Sequence, residues 1–210
     1  MPSTDYPVKL TGPETHRVAD MAGVLMDLRL AAATVKQLER HRDTEKWDNL
    51  LMECMQDSAL IHYGRCYSGG IRTAFLIPRE WIDVLPAELR LAHQDFLDLR
   101  DKHIAHSVND WEINTPVARV RIDQETGEVK VHQVTVNKSR VVMLASDSLE
   151  KLWQLAKTLG DRVEEEMKLE QAKLLEIAKQ IPVEELKRRI KEDPPDFPGQ
   201  RKVGNARARP

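Results

Sequence analysis

Apolar residues recur at helical spacing in three stretches of this chain and alternate in only one. Val18, Met21, Leu25, Leu28, Ala32 and Val35 follow one another at three- and four-residue steps. That spacing winds an apolar seam along one side of a helix, which must bury it against another helix, in the same chain or in a second copy. Pro13 suits the first turn, and the pattern carries the helix to about Arg42. A second helix is predicted from about Thr44 to Tyr67, with the stripe Trp47, Leu50, Leu51, Cys54, Met55, Ser58, Ile61, His62 and Arg65. Ser68-Gly69-Gly70 ends it, and Ile71 to Pro86 reads as an irregular connector with one helical turn around Trp81. A third helix starts near Pro86 and continues at least to Lys102, with the stripe Leu89, Ala92, Phe96, Leu99, His103 and His106. Ser146-Asp147-Ser148 is placed to cap a long fourth helix from Leu149 to about Ile181. Pro182 breaks that helix, and a short one follows to about Lys191.

The alternating stretch predicts a β-hairpin: Val117 to Ile122, a turn through Asp123-Gln124-Glu125-Thr126-Gly127, then Val129 to Val136. Ala118, Val120 and Ile122 point one way and Arg119 and Arg121 the other, so one face is basic. Lys130 and His132 add to it, and the phase shifts at Gln133, as a β-bulge requires. Val141 to Leu144 suits a third strand. The fold class expected is therefore mainly α, a helical bundle with an inserted hairpin at about 116–144 and a long C-terminal helix. An extension covers 1–13 and the helical domain 14–192. The Pro- and Arg-rich stretch 193–210 is expected to be a disordered basic tail.

Charge and cysteine content narrow the functional classes. A net charge of −2 gives no global attraction to nucleic acid or anionic membrane, so a polyanion partner needs a local basic patch. Val141 to Ala145 is among the longest apolar runs and is far too short to cross a bilayer, so no membrane association is expected. The N-terminal residues lack the basic and apolar regions of a signal peptide. Cys54 and Cys66 are expected as buried thiols in one helix, about 18 Å apart along its axis, in a reducing cytoplasmic setting. No residues have metal-ligand spacing and no Gly-rich phosphate loop occurs, so neither a metal nor a cofactor is expected.

One stretch is chemically pointed. Leu99 to Ser107 reads LRDKHIAHS and holds an Arg, an Asp, a Lys and two His within seven residues, where the apolar stripe of the third helix turns polar. The second helix changes in the same way at His62 and Arg65. A guanidinium is a permanent, planar cation that grips phosphate with two hydrogen bonds, and an imidazole moves protons near neutral pH. Together they suffice to cleave RNA without a metal: the Arg stabilises charge on the scissile phosphate, while the His takes the 2′-hydroxyl proton or supplies one to the leaving 5′-oxygen. On an intact α-helix Arg100 and His106 sit about 120° apart, so they converge only through the long Arg stem or an unwound last turn.

This segment resembles the signature of the HEPN superfamily, in which an Arg precedes a His by four to six intervening residues. Arg100 and His106 stand in those positions with five between them, Asp101 supplies the polar residue after the Arg, and Ala105-His106-Ser107 resembles the ending in bacterial members. The resemblance covers roughly Glu14 to Asn109. It implies a helical bundle that dimerises to bring two motifs into one cleft, here through the first and third helices. It also implies metal-independent endoribonuclease activity, as a toxin or antiviral defence effector, with RNA and a cognate antitoxin or defence-system partner as the expected partners. On that reading Arg100 binds phosphate, His106 is the acid or base, Asp101 orients and His103 assists, while Arg65, Lys102, Arg119 and Arg121 hold substrate. The alternative is a non-catalytic module of the same type that binds RNA, a nucleotide or a protein. The bland reading of the same residues is a helix-end ion pair beside packing histidines.

Overall fold

The seam of the first helix finds its partner inside the chain. In the computed structural model, which describes residues 5–44, 48–70, 72–104, 112–140 and 143–192, α1 spans Pro13–Arg42 with proline in its first turn. It lies antiparallel along α5, Ser146–Ala178, with Lys36 beside Glu150 near one end and Arg17 beside Glu170 near the other. Met21, Leu28, Val35 and Leu38 are sealed against Leu149, Leu152, Leu155 and Leu159. Each such side chain contributes about 2 kcal/mol by leaving water, so this contact dominates the stability of the fold.

α2, Asn49–Gly64, packs antiparallel on the other side of α1, and Asp48 caps it by accepting from Leu51 N at 3.1 Å. The buried face of α2 is not the predicted stripe. Met52, Gln56, Ala59, Leu60 and Tyr63 point inward, whereas Leu50, Leu51 and Ile61 are exposed. Two polar residues decide the phase. Gln56 is buried because its side-chain oxygen accepts from Leu144 N, and Tyr63 because its hydroxyl meets His93 at 2.7 Å. A buried polar group that finds its partner is no penalty to the face that carries it. In consequence Cys54 is exposed rather than buried, and Cys66 lies beyond the end of α2; both are free thiols.

The connector holds the short α3, Arg79–Asp83, around the buried Trp81. α4, Ala87–Leu99, buries Leu89, Ala92, Phe96 and Leu99 as its stripe predicts. At Arg100 the α-helix gives way to a π-helical turn, Arg100–Ile104. α5 starts at Ser146 with Ala145 in the cap position and no capping side chain, so Ser146-Asp147-Ser148 form its first turn instead of its cap. α6 spans Val183–Glu192. No helix among the described residues is long and apolar enough to cross a membrane. The basic tail 193–210 lies outside the described residues.

β1, Glu112–Ile122, pairs antiparallel with β2, Val129–Arg140, as a two-stranded ribbon longer than predicted. Arg119 faces Gln133 and Val120 faces Val131, which leaves His132 as the extra residue of a bulge next to the predicted phase shift. In the turn, Asp123 Oδ1 accepts from Glu125 N and Thr126 N at 2.9 Å, and Gly127 takes the left-handed φ of 71° that other residues avoid. Met143 and Leu144 are not strand; Val141 and Val142 lie outside the described residues.

Candidate polyanion site at the end of the second helix

The change from α to π winding falls on Arg100, the first charged residue of the pointed segment. A π turn inserts an extra residue into the helical ladder and is frequent at functional sites. Here it begins with Arg100, whose stem crosses the C-terminal end of α2 at Gly64. A Cβ on Gly64 would stand 3.1 Å from Arg100 Cγ, so the glycine is what lets the arginine lie this close. The Arg100 guanidinium pairs with the carboxylate of Asp101, and its side chain is 33% exposed. Lys102 turns away and bonds Asp98 Oδ2 at 2.9 Å, which holds the Asp98 carboxyl below its usual range. It borders a groove of about 740 Å³ between α4 and α5 in which Glu88, Asp95 and Asp98 outnumber Lys102 and Lys151, a poor lining for a polyanion. The side chain of His103 and all of His106 and Ser107 lie outside the described residues.

Arg65 begins one residue after Gly64 and points to the α1 side of α2. There it joins a cluster built around Asp27, whose side chain is only 4% exposed. His62 Nδ1 stands 2.8 Å from Asp27 Oδ1, Arg72 Nη2 donates to Asp27 Oδ2 at 2.6 Å, and Arg65 Nη1 lies 3.5 Å from Oδ1. Arg72 also donates to the Gly23 carbonyl. One turn pair earlier on α1, Asp20 accepts from Ala74 N and Phe75 N, so two buried aspartates pin the connector to the bundle. The buried Cys66 packs beside this cluster; burial first, then the Asp27 charge, pushes its thiol up to about 12, so it stays protonated.

The α4 side of α2 has a different chemistry. Tyr63 is fully buried, with its ring edge-on to Phe96 and to His93, and Tyr67 also meets His93 edge-to-face at 4.7 Å between centroids. Burial lowers the His93 pKa and raises that of Tyr63, so both remain neutral. The hydroxyl of Tyr67 is buried with no hydrogen-bond partner among the described residues.

Of the residues singled out by the sequence, Arg100 pairs with Asp101 over Gly64 on the α4 side of the end of α2, whereas Arg65 turns to Asp27 on the α1 side. Arg119 and Arg121 are exposed on the hairpin, and Lys130 beside them pairs with Glu128 at 2.8 Å. Asp27, Arg72 and His93 escaped sequence reasoning. The available signal was on α1, where Asp20 and Asp27 fall seven residues apart and directly beside the seam residues Met21 and Leu28. Among the described residues no group of three or more His, Cys, Asp or Glu side chains is placed to hold a metal ion. No family model, curated protein or solved structure matches this chain.

Proposed function

We propose that this is a cytoplasmic RNA-cleaving protein of HEPN type, acting without a metal, in which Arg100 grips the scissile phosphate and His106 moves the proton. The observation that supports this reading most is the placement of Arg100. Its guanidinium is partly exposed at the π-helical end of α4, positioned through Gly64 and Asp101, with a second partly exposed guanidinium, Arg65, starting at the neighbouring residue of α2. Two partly exposed cations at one helix end suit a phosphodiester chain better than an isolated carboxylate ligand, because successive phosphates repeat the charge. The toxin or defence role, the dimer with two motifs in one cleft, and the antitoxin or defence partner belong to the same proposal.

The second reading is a module that binds RNA without breaking it, and one observation favours it: the carboxylate of Asp101 already neutralises Arg100. RNA digestion in excess EDTA separates the two. Cleavage should leave 2′,3′-cyclic phosphate and 5′-hydroxyl ends and should vanish in His106→Ala, because proton transfer contributes about 10²–10⁴-fold. Bound but intact RNA selects the second reading, and 5′-phosphate ends reject metal-free transesterification.

A further inference from the structure

We infer that His62 and Arg65, organised by Asp27, form a second phosphate subsite for a single RNA strand that continues past Arg100 around the C-terminal end of α2. The inference rests on the proposed RNA-directed function and adds residues to it. Three basic groups converge on one buried carboxylate: His62, Arg65 and Arg72. Only Arg72 is needed to balance it. Arg72 is 16% exposed, makes the short contact of 2.6 Å and bonds the Gly23 carbonyl as well, so its role is to lock the connector onto α1. Arg65 is unlike it. Its side chain is 48% exposed and its nearest approach to Asp27 is 3.5 Å, which leaves most of its donors facing water.

His62 completes the arrangement. Asp27 engages Nδ1 and fixes the ring, so Nε2 is the nitrogen left to meet a ligand, and it donates to an anion when the ring carries both protons. His62 and Arg65 are three residues apart on α2 and share a face, so an anion contacting both spans one helical turn. Arg100 approaches the same helix end from the α4 side, over Gly64. A strand passing from Arg100 to Arg65 therefore crosses the end of α2 and presents one phosphate to each guanidinium. The groove between α4 and α5 mixes Lys102 and Lys151 with Glu88, Asp95 and Asp98, so among the described residues its lining offers no run of arginines comparable to Arg100 and Arg65.

The test is binding of a fluorescent, 2′-O-methylated oligouridylate, which lacks the reacting hydroxyl, across a series of salt concentrations. Arg65→Ala should weaken binding about tenfold and reduce the salt slope by about 1, the signature of one lost phosphate contact. Arg65→Lys should restore most of the affinity, His62→Gln should cost about threefold, and Arg79→Ala, a fully solvated arginine on α3, should cost nothing. Unchanged affinity and slope in Arg65→Ala overturns the subsite, as does an equal loss in Arg79→Ala. A fall in melting temperature without a change in slope would show Arg65 to be structural and would also overturn it. If the wild type binds and Arg100→Ala alone loses affinity, only the subsite falls. If the wild type does not bind at all, the RNA-directed function falls with it.

Discussion

The two sides of the C-terminal end of α2 place histidines in opposite environments. On the α1 side His62 meets the Asp27 carboxylate, with two guanidiniums beside it. On the α4 side His93 is held by Tyr63 and Tyr67, and burial keeps it neutral. The difference lies in what each neighbouring helix brings to the end of α2: α1 brings a buried acid, whereas α4 brings the neutral rings of His93 and Phe96. An ionic cluster with partly exposed members can accept another anion, whereas a neutral aromatic cluster can only pack. The same helix end thus carries an ionic face, the one proposed to bind RNA, and a neutral packed face, with Gly64 and Arg100 at their boundary.

Removing the acid should have the largest effect. Asp27→Ala leaves Arg72 largely buried without its counter-charge and should cost about 3 kcal/mol in urea unfolding; a loss below about 1 kcal/mol would mean the cluster is solvated rather than buried. At the boundary, Gly64→Ala places a methyl group 3.1 Å from Arg100 Cγ and pushes the guanidinium aside. RNA cleavage should drop about tenfold, while stability should change by less than about 1 kcal/mol because alanine is the better helix former. On the neutral side, Tyr63→Phe keeps the ring and removes the hydrogen bond to His93, which should cost about 1 kcal/mol.

The smallest effect is a slope in pH. His93 titrates below the ordinary value of about 6.5 when folded. The unfolded chain therefore takes up the proton first as pH falls. Its contribution to stability is complete above pH 6.5 or so and is lost as pH drops below that towards the depressed folded value. His93→Gln should flatten that part of the stability profile, and an unchanged profile would show that His93 is not the buried neutral group.

How much of this could be read beforehand depends on which signal carried it. α1 and α4 follow their apolar periodicity because each buries one continuous stripe, and the bulge beside Gln133 shows as a break in alternation. α2 misled because it carries apolar residues on two faces. The choice between them was made by Gln56 and Tyr63, whose partners, Leu144 and His93, lie far away in sequence. The Arg100 segment stood out by composition. Its placement over Gly64 and the Asp27 cluster depend on long-range contacts that no local pattern encodes.

The central claim is that the guanidinium at the π-helical end of α4 is the phosphate-binding cation of an RNA-cleaving site. Its most direct test is the single-turnover cleavage rate, in EDTA, of Arg100→Ala and Arg100→Lys beside the wild type, with folding checked by melting temperature. The account predicts loss of about 10²-fold or more for the alanine variant and partial recovery for lysine, which keeps the charge but not the two-pronged grip. Wild-type cleavage by a folded Arg100→Ala protein would contradict it.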